Sequence, residues 1–284
     1  MSLSPQDIYP DIQRAVRIAL EEDIGSGDIT AELIPADRRA EARVITRENC
    51  VLCGQAWFDE TFRQLGGVEQ IEWQIEEGAD AEAGSELVRL QGNCRSLLTG
   101  ERTALNFLQL LSGTATTSRE YAKLVEGSGV KILDTRKTIP GLRTAQKYAV
   151  GVGGCFNHRM GLWDAFLIKE NHIAACGGIT AAVARARELY PDRKLEVEVE
   201  NVVELEEAVG CGVDVVMLDN IPSLDTIANL KNTAYKNLPK LEFSGNVDFD
   251  KLESGLVDFN LADHVSCGSL TKNILAIDLS FLIM

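Results

Sequence analysis

Arg136 and Lys137 are adjacent in a stretch that must turn at Pro140-Gly141, and His158, Arg159 and Lys169 follow. A guanidinium offers a planar fork to a carboxylate or phosphate, whereas an ammonium is a movable point charge. Together these residue types suit a small anion with two differently shaped acidic groups. Lys169 directly follows the apolar run 165–168. A desolvated lysine there has two uses: clamping a substrate anion, or forming a Schiff base. Several arginines and no evident general base nearby favour the clamp. Glu198 and Asp219 end consecutive apolar runs, where they could hold Mg²⁺ with substrate phosphate oxygens completing its shell, or pair with the lysines. Ser244-Gly245-Asn246 and Cys267-Gly268-Ser269 are small-residue turns whose backbone N–H groups could cradle a phosphate.

These residues need elements that bring them to one place. From about residue 130 onward, short apolar runs alternate with helical stretches: 131–133, 165–168, 195–199, 213–218, 241–243 and 264–266. Such runs read as strands of a parallel sheet, buried on both faces. Each ends in polar or small residues, and α/β barrels and doubly wound sheets bind ligands at the C-terminal ends of their strands. Helices are expected near 142–152, 179–190 and 202–210 as crossovers between neighbouring strands. Alternation places Glu196, Glu198 and Glu200 on one face, which fits a wet lumen.

The first part reads as a mixed α/β segment. Ile8, Ile12, Val16, Ala19 and Leu20 recur at helical spacing; strands are expected around 41–46, 71–75 and 86–91, with a helix near 55–65. A long or kinked helix from Leu97 to about Glu126, interrupted at Ser112-Gly113, marks a domain boundary. The seven cysteines are odd in number and scattered, so they are expected to be reduced, with Cys50 and Cys53 as buried small residues rather than a zinc or redox pair.

The chain of 284 residues carries 28 basic against 43 acidic residues, a formal net charge of −15. That excludes a nucleic-acid or acidic-membrane partner for the molecule as a whole. Yet between Asp134 and His172 the bases Arg136, Lys137, Arg143, Lys147, Arg159 and Lys169 outnumber the acids Asp134, Asp164 and Glu170. A cationic cleft in an acidic protein concentrates its field where an anionic ligand would sit. No apolar run is long enough to cross a bilayer and the first residues lack the regions of a signal peptide, so a cytoplasmic protein without a membrane partner is expected. Neither a dinucleotide fingerprint nor a Walker loop is present: Gly151-Val152-Gly153-Gly154 has no preceding apolar strand.

Three dense motifs resemble those of quinolinate phosphoribosyltransferase, also called nicotinate-nucleotide pyrophosphorylase (carboxylating). They are Asp134 to Arg143 (DTRKTIPGLR), Gly153 to Asp164 (GGCFNHRMGLWD) and Leu167 to His172 (LIKENH). Further matches at Gly27 to Thr30, Glu101 to Asn106, Glu196 to Glu200, Met217 to Asn220, Ser244 to Asn246 and Gly268 to Thr271 carry the resemblance across nearly the whole chain. It implies an N-terminal α/β sandwich over 1–112, completed by 271–284, and an incomplete α/β barrel of about seven strands over 113–270. It also implies a homodimer or larger homo-oligomer with shared active sites, and the substrates quinolinate and phosphoribosyl pyrophosphate with Mg²⁺. By the same resemblance Arg136, His158, Arg159 and Lys169 hold the quinolinate carboxylates, joined by Arg102 of the partner subunit. Thr135 belongs to the same substrate loop. Lys137, Glu198 and Asp219 serve phosphoribosyl pyrophosphate and the metal as the catalytic group, and the turns at Ser244, Gly245, Asn246 and Cys267, Gly268, Ser269 take the 5′-phosphate. The stretches 221–240 and 247–263 are less typical of the family.

Overall fold

A computed structural model describes residues 3–219, 238–245, 247–255 and 258–284. Asn246 and most of the stretch 221–240 lie outside the described residues. The chain divides into two compact units: the first contains 1–120, 138–155 and 270–284, the second 121–137 and 156–269.

In the first unit, α1 (Tyr9–Ile24) carries Pro10 in its first turn, where a missing N–H costs nothing, and buries Ile12, Val16 and Leu20. The strands β1 (Arg39–Thr46), β3 (Val68–Trp73), β5 (Glu86–Asn93) and β12 (Leu279–Ile283) form an antiparallel sheet in the order β12-β1-β5-β3. A small ribbon pairs β2 (Cys50–Val51) with β4 (Asp80–Ala81). Helices α2 (Gln55–Leu65) and α3 (Cys94–Leu124) supply Phe58, Phe62, Leu97, Leu105 and Leu108 against Ala42, Val44, Val88 and Leu90, which makes a sheet covered by helices. Each of these large side chains contributes about 1.5–3 kcal/mol by leaving water.

Helix α3 differs from expectation, because it runs unbroken through Ser112-Gly113. Ser112 sits there because its hydroxyl accepts from the Cys53 N–H and lies 3.1 Å from the Cys53 carbonyl, to which it donates. Gly113 sits there because a Cβ would lie 2.1 Å from the Leu275 carbonyl oxygen. Both residues serve close packing, so neither breaks the helix. Helix α4 (Arg143–Val152) also departs from expectation: it belongs to the first unit, where Ala145, Tyr148 and Ala149 pack with Ile12, Val16 and Trp57. All seven cysteines are free thiols, with Cys50 and Cys53 buried.

In the second unit, β6 (Lys131–Leu133), β7 (Ala165–Ile168), β8 (Lys194–Val199), β9 (Val215–Asp219), β10 (Lys240–Ser244) and β11 (His264–Ser266) form a wholly parallel sheet in the order β6-β11-β10-β9-β8-β7. Six strands are described where about seven were expected. A single parallel bridge, Leu133 to Phe156, extends the sheet beyond β6. Helix α5 (Glu170–Cys176) follows β7; α6 (Ile179–Leu189) and α7 (Val202–Gly210) pack on the sheet as crossovers.

The sheet has two chemically different faces. Leu195, Val197, Val199, Val216, Leu218 and Leu241 point to the helices in one apolar core. The alternate positions carry Glu196, Glu198, Asp219, Glu242, Ser244, His264 and Ser266 beside Val215 and Met217, so β8 and β10 are apolar on one face only, not on both as their runs led us to expect. No described helix is long and apolar enough to cross a membrane.

Candidate active site

Parallel pairing brings the C-terminal strand ends to one edge: Ser244 pairs with Asp219, Val199 with Leu218, and Ser266 with Leu133. Every loop leaving that edge therefore starts beside its neighbours. Because Glu198 pairs with Met217, and Asp219 lies two residues beyond Met217, both carboxylates project from the same face of the sheet.

Asp134 organises the first loop. Fully buried at the end of β6, it accepts hydrogen bonds from Asn157 Nδ2 at 2.6 Å and from the His158 N–H at 2.9 Å, which seats the 156–159 segment beside the strand. Thr135 Oγ1 accepts from the Lys137 N–H, a local turn that presents Arg136 and Lys137 together. Asp164 closes the next loop by accepting from the Met160 and Gly161 N–H groups. Arg159 donates to the Ala165 carbonyl at 3.2 Å. Its guanidinium pKa is lowered, first by burial and next by the charge of Arg136. A half-buried guanidinium in the field of a second one is a seat that an anion completes.

Lys169 and Glu198 form an ion pair across the ends of β7 and β8. The lysine is half-exposed rather than buried as its place after an apolar run led us to expect, and the carboxylate facing it is nearly buried. The pairing of Glu198 with a lysine, one of the two uses its position offered, is thus present. That carboxylate removes the absence of a nearby base as an argument for the clamp, which then rests on the neighbouring arginines. Cys267 is buried, with its N–H donated to the Leu133 carbonyl. Gly268 lies under Lys137: a Cβ there would meet Lys137 Cδ at 3.0 Å, so the strand-end turn and the lysine share one corner. Gly245 has φ +101°, a conformation that side chains disfavour, and the Ser269 hydroxyl is 2.9 Å from the Tyr121 hydroxyl.

Beneath the strand ends lies a buried polar cluster. His158 Nε2 is 3.2 Å from Glu196 Oε2 and 3.4 Å from Glu242 Oε1, and Lys194 Nζ is 3.6 Å from Glu196. Burial opposes a charge on the imidazole, but the two carboxylates outweigh it and raise the ring's affinity for a proton. Glu242 is pushed up by burial and by the Glu196 charge, whereas His264 is pushed down to about 4 by burial and by Lys194 and Lys240. The lumen at Glu196 is thus an enclosed ion-paired cluster, not the wet surface expected from alternation.

The basic island of the sequence divides. Arg136, Lys137, Arg159 and Lys169 belong to the second unit; Arg143 and the fully buried Lys147 belong to the first. Arg102, on α3 of the first unit, is 58% exposed and lies 3.9 Å from Glu101. Sequence reasoning did not single out Asp134, Glu242 or His264 as site residues. A signal existed for Glu242, an acid flanked by Leu241 and Phe243 within a strand.

Two family models match in succession: "Quinolinate phosphoribosyl transferase, N-terminal domain" over residues 28–112 and "Quinolinate phosphoribosyl transferase, C-terminal domain" over 114–282. The chain belongs to the quinolinate phosphoribosyl transferase family. Among its relatives, the probable nicotinate-nucleotide pyrophosphorylase [carboxylating] of Bacillus subtilis (strain 168) is 38% identical over 260 residues, covering 91% of this chain and 89% of the relative. The quinolinate phosphoribosyltransferase [decarboxylating] 2a, mitochondrial, of Nicotiana tabacum is 32% identical, covering 95% and 81%. The solved structure of the nicotinate-nucleotide pyrophosphorylase from Francisella tularensis superposes with a TM-score of 0.89 at 45% identity, covering 97% of this chain and 96% of that one. The family's α/β sandwich with an open barrel is the fold described above.

Proposed function

We propose that this chain transfers the phosphoribosyl group of phosphoribosyl pyrophosphate to the ring nitrogen of quinolinate with loss of CO₂, giving nicotinate mononucleotide and pyrophosphate for NAD synthesis. The observation that carries the reading is the gathering of cations at the strand ends: Arg159 tied to the Ala165 carbonyl, Arg136 and Lys137 presented by the Thr135 turn, and Lys169 at the end of β7. A dicarboxylate supplies the negative charge that these cations call for. Family membership and the relatives' names support the same substrates.

Both substrates are polyanions, so several cations are needed to bring them into one near-attack arrangement. Lys137, with Thr135 in its turn and Gly268 beneath it, is assigned to phosphoribosyl pyrophosphate; Ser244, Gly245, Asn246, Cys267 and Ser269 are assigned to its 5′-phosphate. Glu198 and Asp219 fit Mg²⁺, since both offer hard carboxylate oxygens from one face of adjacent strands. The ion, when bound, neutralises the departing pyrophosphate. The same two carboxylates can stabilise oxocarbenium-like charge at the ribose C1. The pyridinium formed is itself an electron sink for the departing 2-carboxylate.

The reading includes a homodimer or larger homo-oligomer in which Arg102 of one copy completes the site of another, a boundary between functional domains at 112, and a cytoplasmic setting. The free thiols agree with that setting. Mixing inactive Arg102→Ala and Lys137→Ala subunits is expected to restore activity through the sites that receive both intact residues. No recovery despite subunit exchange would keep Arg102 within its own chain.

The direct test is an assay with quinolinate, nicotinate and nicotinamide side by side, each with phosphoribosyl pyrophosphate and Mg²⁺. Release of CO₂ and pyrophosphate with quinolinate alone is expected. Folded protein that makes no nicotinate mononucleotide would reject the reading.

A further inference from the structure

Tyr121 and Ser269 are 148 positions apart in the chain, yet their hydroxyls lie 2.9 Å from each other within the second unit. Tyr121 stands in the last turn of α3, 3% exposed, with its ring edge-on to Phe249 at 5.3 Å between centroids. Ser269 is only partly buried and follows Gly268 in the turn that leaves β11. Burial pushes the phenol pKa up, so Tyr121 keeps its proton at neutral pH. Its oxygen faces the Phe249 N–H, which can only donate, and Ser269 Oγ is the acceptor at hydrogen-bond distance. A buried hydroxyl proton without an acceptor is costly, so the phenol donates to the serine. The serine oxygen, satisfied as an acceptor, then has its own proton to give.

We propose that Tyr121 is a positioning residue for the 5′-phosphate of phosphoribosyl pyrophosphate: its hydroxyl locks Ser269 as a donor to that phosphate without touching the substrate itself. A phosphate dianion only accepts, so a serine whose proton is turned outward suits it, and a hydrogen bond to an ion is about twice as strong as a neutral one. The order of donation runs from Tyr121 to Ser269 to a phosphate oxygen, and each bond in such a row polarises the next. Tyr121 lies outside every motif that carries the family resemblance, and the serine side chain joins the backbone N–H groups of its turn in holding the anion. The proposal rests on the functional reading above, since the phosphate is the one assigned to this turn.

The experiment compares Tyr121→Phe, Ser269→Ala and the pair in the full-length protein. Phenylalanine keeps the ring against Phe249 and removes the hydroxyl alone. Four quantities are read: KM for phosphoribosyl pyrophosphate, KM for quinolinate, and inhibition by ribose 5-phosphate and by pyrophosphate. Ribose 5-phosphate carries the 5′-phosphate, and pyrophosphate lacks it. Ser269→Ala is expected to raise the phosphoribosyl pyrophosphate KM and weaken ribose 5-phosphate inhibition about tenfold, the loss of a hydrogen bond to a charged group. Tyr121→Phe should move the same two quantities about three- to tenfold, since it removes the orienting bond and leaves the serine in place. The pair should be no worse than Ser269→Ala within about twofold, because the tyrosine acts only through the serine.

Quinolinate KM and pyrophosphate inhibition are expected to hold in all three variants, which a tyrosine that merely supports the fold would not allow. Loss in all four quantities together would therefore overturn the proposal. Ser269→Ala without effect would show that the serine hydroxyl does not meet the phosphate, and multiplicative losses in the pair would show that the two act separately; either result overturns it as well. Calorimetry with ribose 5-phosphate gives a readout that needs no turnover: binding weakened by Tyr121→Phe is expected, while equal binding by every variant, or none by the wild type, would sink the tie. A wild type that binds ribose 5-phosphate through this pair but makes no nicotinate mononucleotide would reject the functional reading alone.

Discussion

Lys169 and Glu198 are ion-paired across the ends of neighbouring parallel strands, so an ammonium assigned to the substrate and a carboxylate assigned to the metal hold each other. In the proposed function each changes partner when the substrates and the metal bind.

Glu198→Gln should separate these roles. The amide keeps the size of the side chain but neither balances Lys169 nor ligates Mg²⁺ well. Steady-state assays over a Mg²⁺ titration are expected to show activity reduced about a hundredfold, consistent with losing interactions to charged groups worth about 3 kcal/mol. Thermal unfolding should shift by only a few degrees, because a partly exposed pair contributes about 0–1 kcal/mol to stability. Unchanged Mg²⁺ dependence would remove Glu198 from the metal site.

Arg136→Ala and Arg159→Ala are each expected to raise quinolinate KM about 10- to 100-fold, from roughly 1.5–3 kcal/mol for a hydrogen bond to a charged partner. Arg159→Lys should not restore binding, because an ammonium cannot reproduce the planar fork. Full activity in the lysine variant would show that a point charge suffices.

Gly268→Ala tests the corner shared with Lys137. The added methyl pushes on the lysine stem at 3.0 Å, and phosphoribosyl pyrophosphate KM should rise while quinolinate affinity holds. Equal effects on both substrates would point to a general distortion of the strand ends.

Gly113→Ala probes stability away from the chemistry. Its Cβ would overlap the Leu275 carbonyl oxygen at 2.1 Å, backbone that cannot rotate aside. Urea denaturation is expected to show a loss of about 1–3 kcal/mol, the usual cost of overpacking. A neutral result would mean that the C-terminal segment shifts freely.

His264 sets a pH dependence. Its folded pKa of about 4 lies below the ordinary 6.5, so the unfolded chain binds a proton that the folded one refuses. Its contribution to stability is intact above about 6.5 and is lost as pH falls toward 4. His264→Gln should flatten that acid limb in melts recorded between about pH 7.5 and 3.5, a window that brackets the shift. An unchanged limb would assign it to other groups.

Much of this was legible in the residues. The short apolar runs and their polar ends located all six described parallel strands, because a loop begins where the apolar residues stop, although burial among apolar residues on both faces failed at β8 and β10, whose alternate positions are acidic. The motifs around Arg136, Arg159 and Lys169 identified the family. The helix at 94–124 was misjudged at Ser112-Gly113 for a physical reason: glycine breaks an isolated helix, yet in a packed one it admits a neighbouring backbone, and Leu275 is far away in sequence.

By itself, then, the sequence determined the element types, the shared edge of the strands and the kind of charge gathered there, since these follow from local periodicity and residue chemistry. Only the tertiary structure decided the partners: that Lys169 meets Glu198, that His158 turns inward to Glu196 and Glu242, and that Lys147, part of the basic island in sequence, is fully buried on a helix of the first unit. Charge along a chain adds up by composition, whereas the partner of each charge is set by strand register and burial. Those bring together residues such as Glu196 and Glu242 that lie on different strands far apart in the sequence.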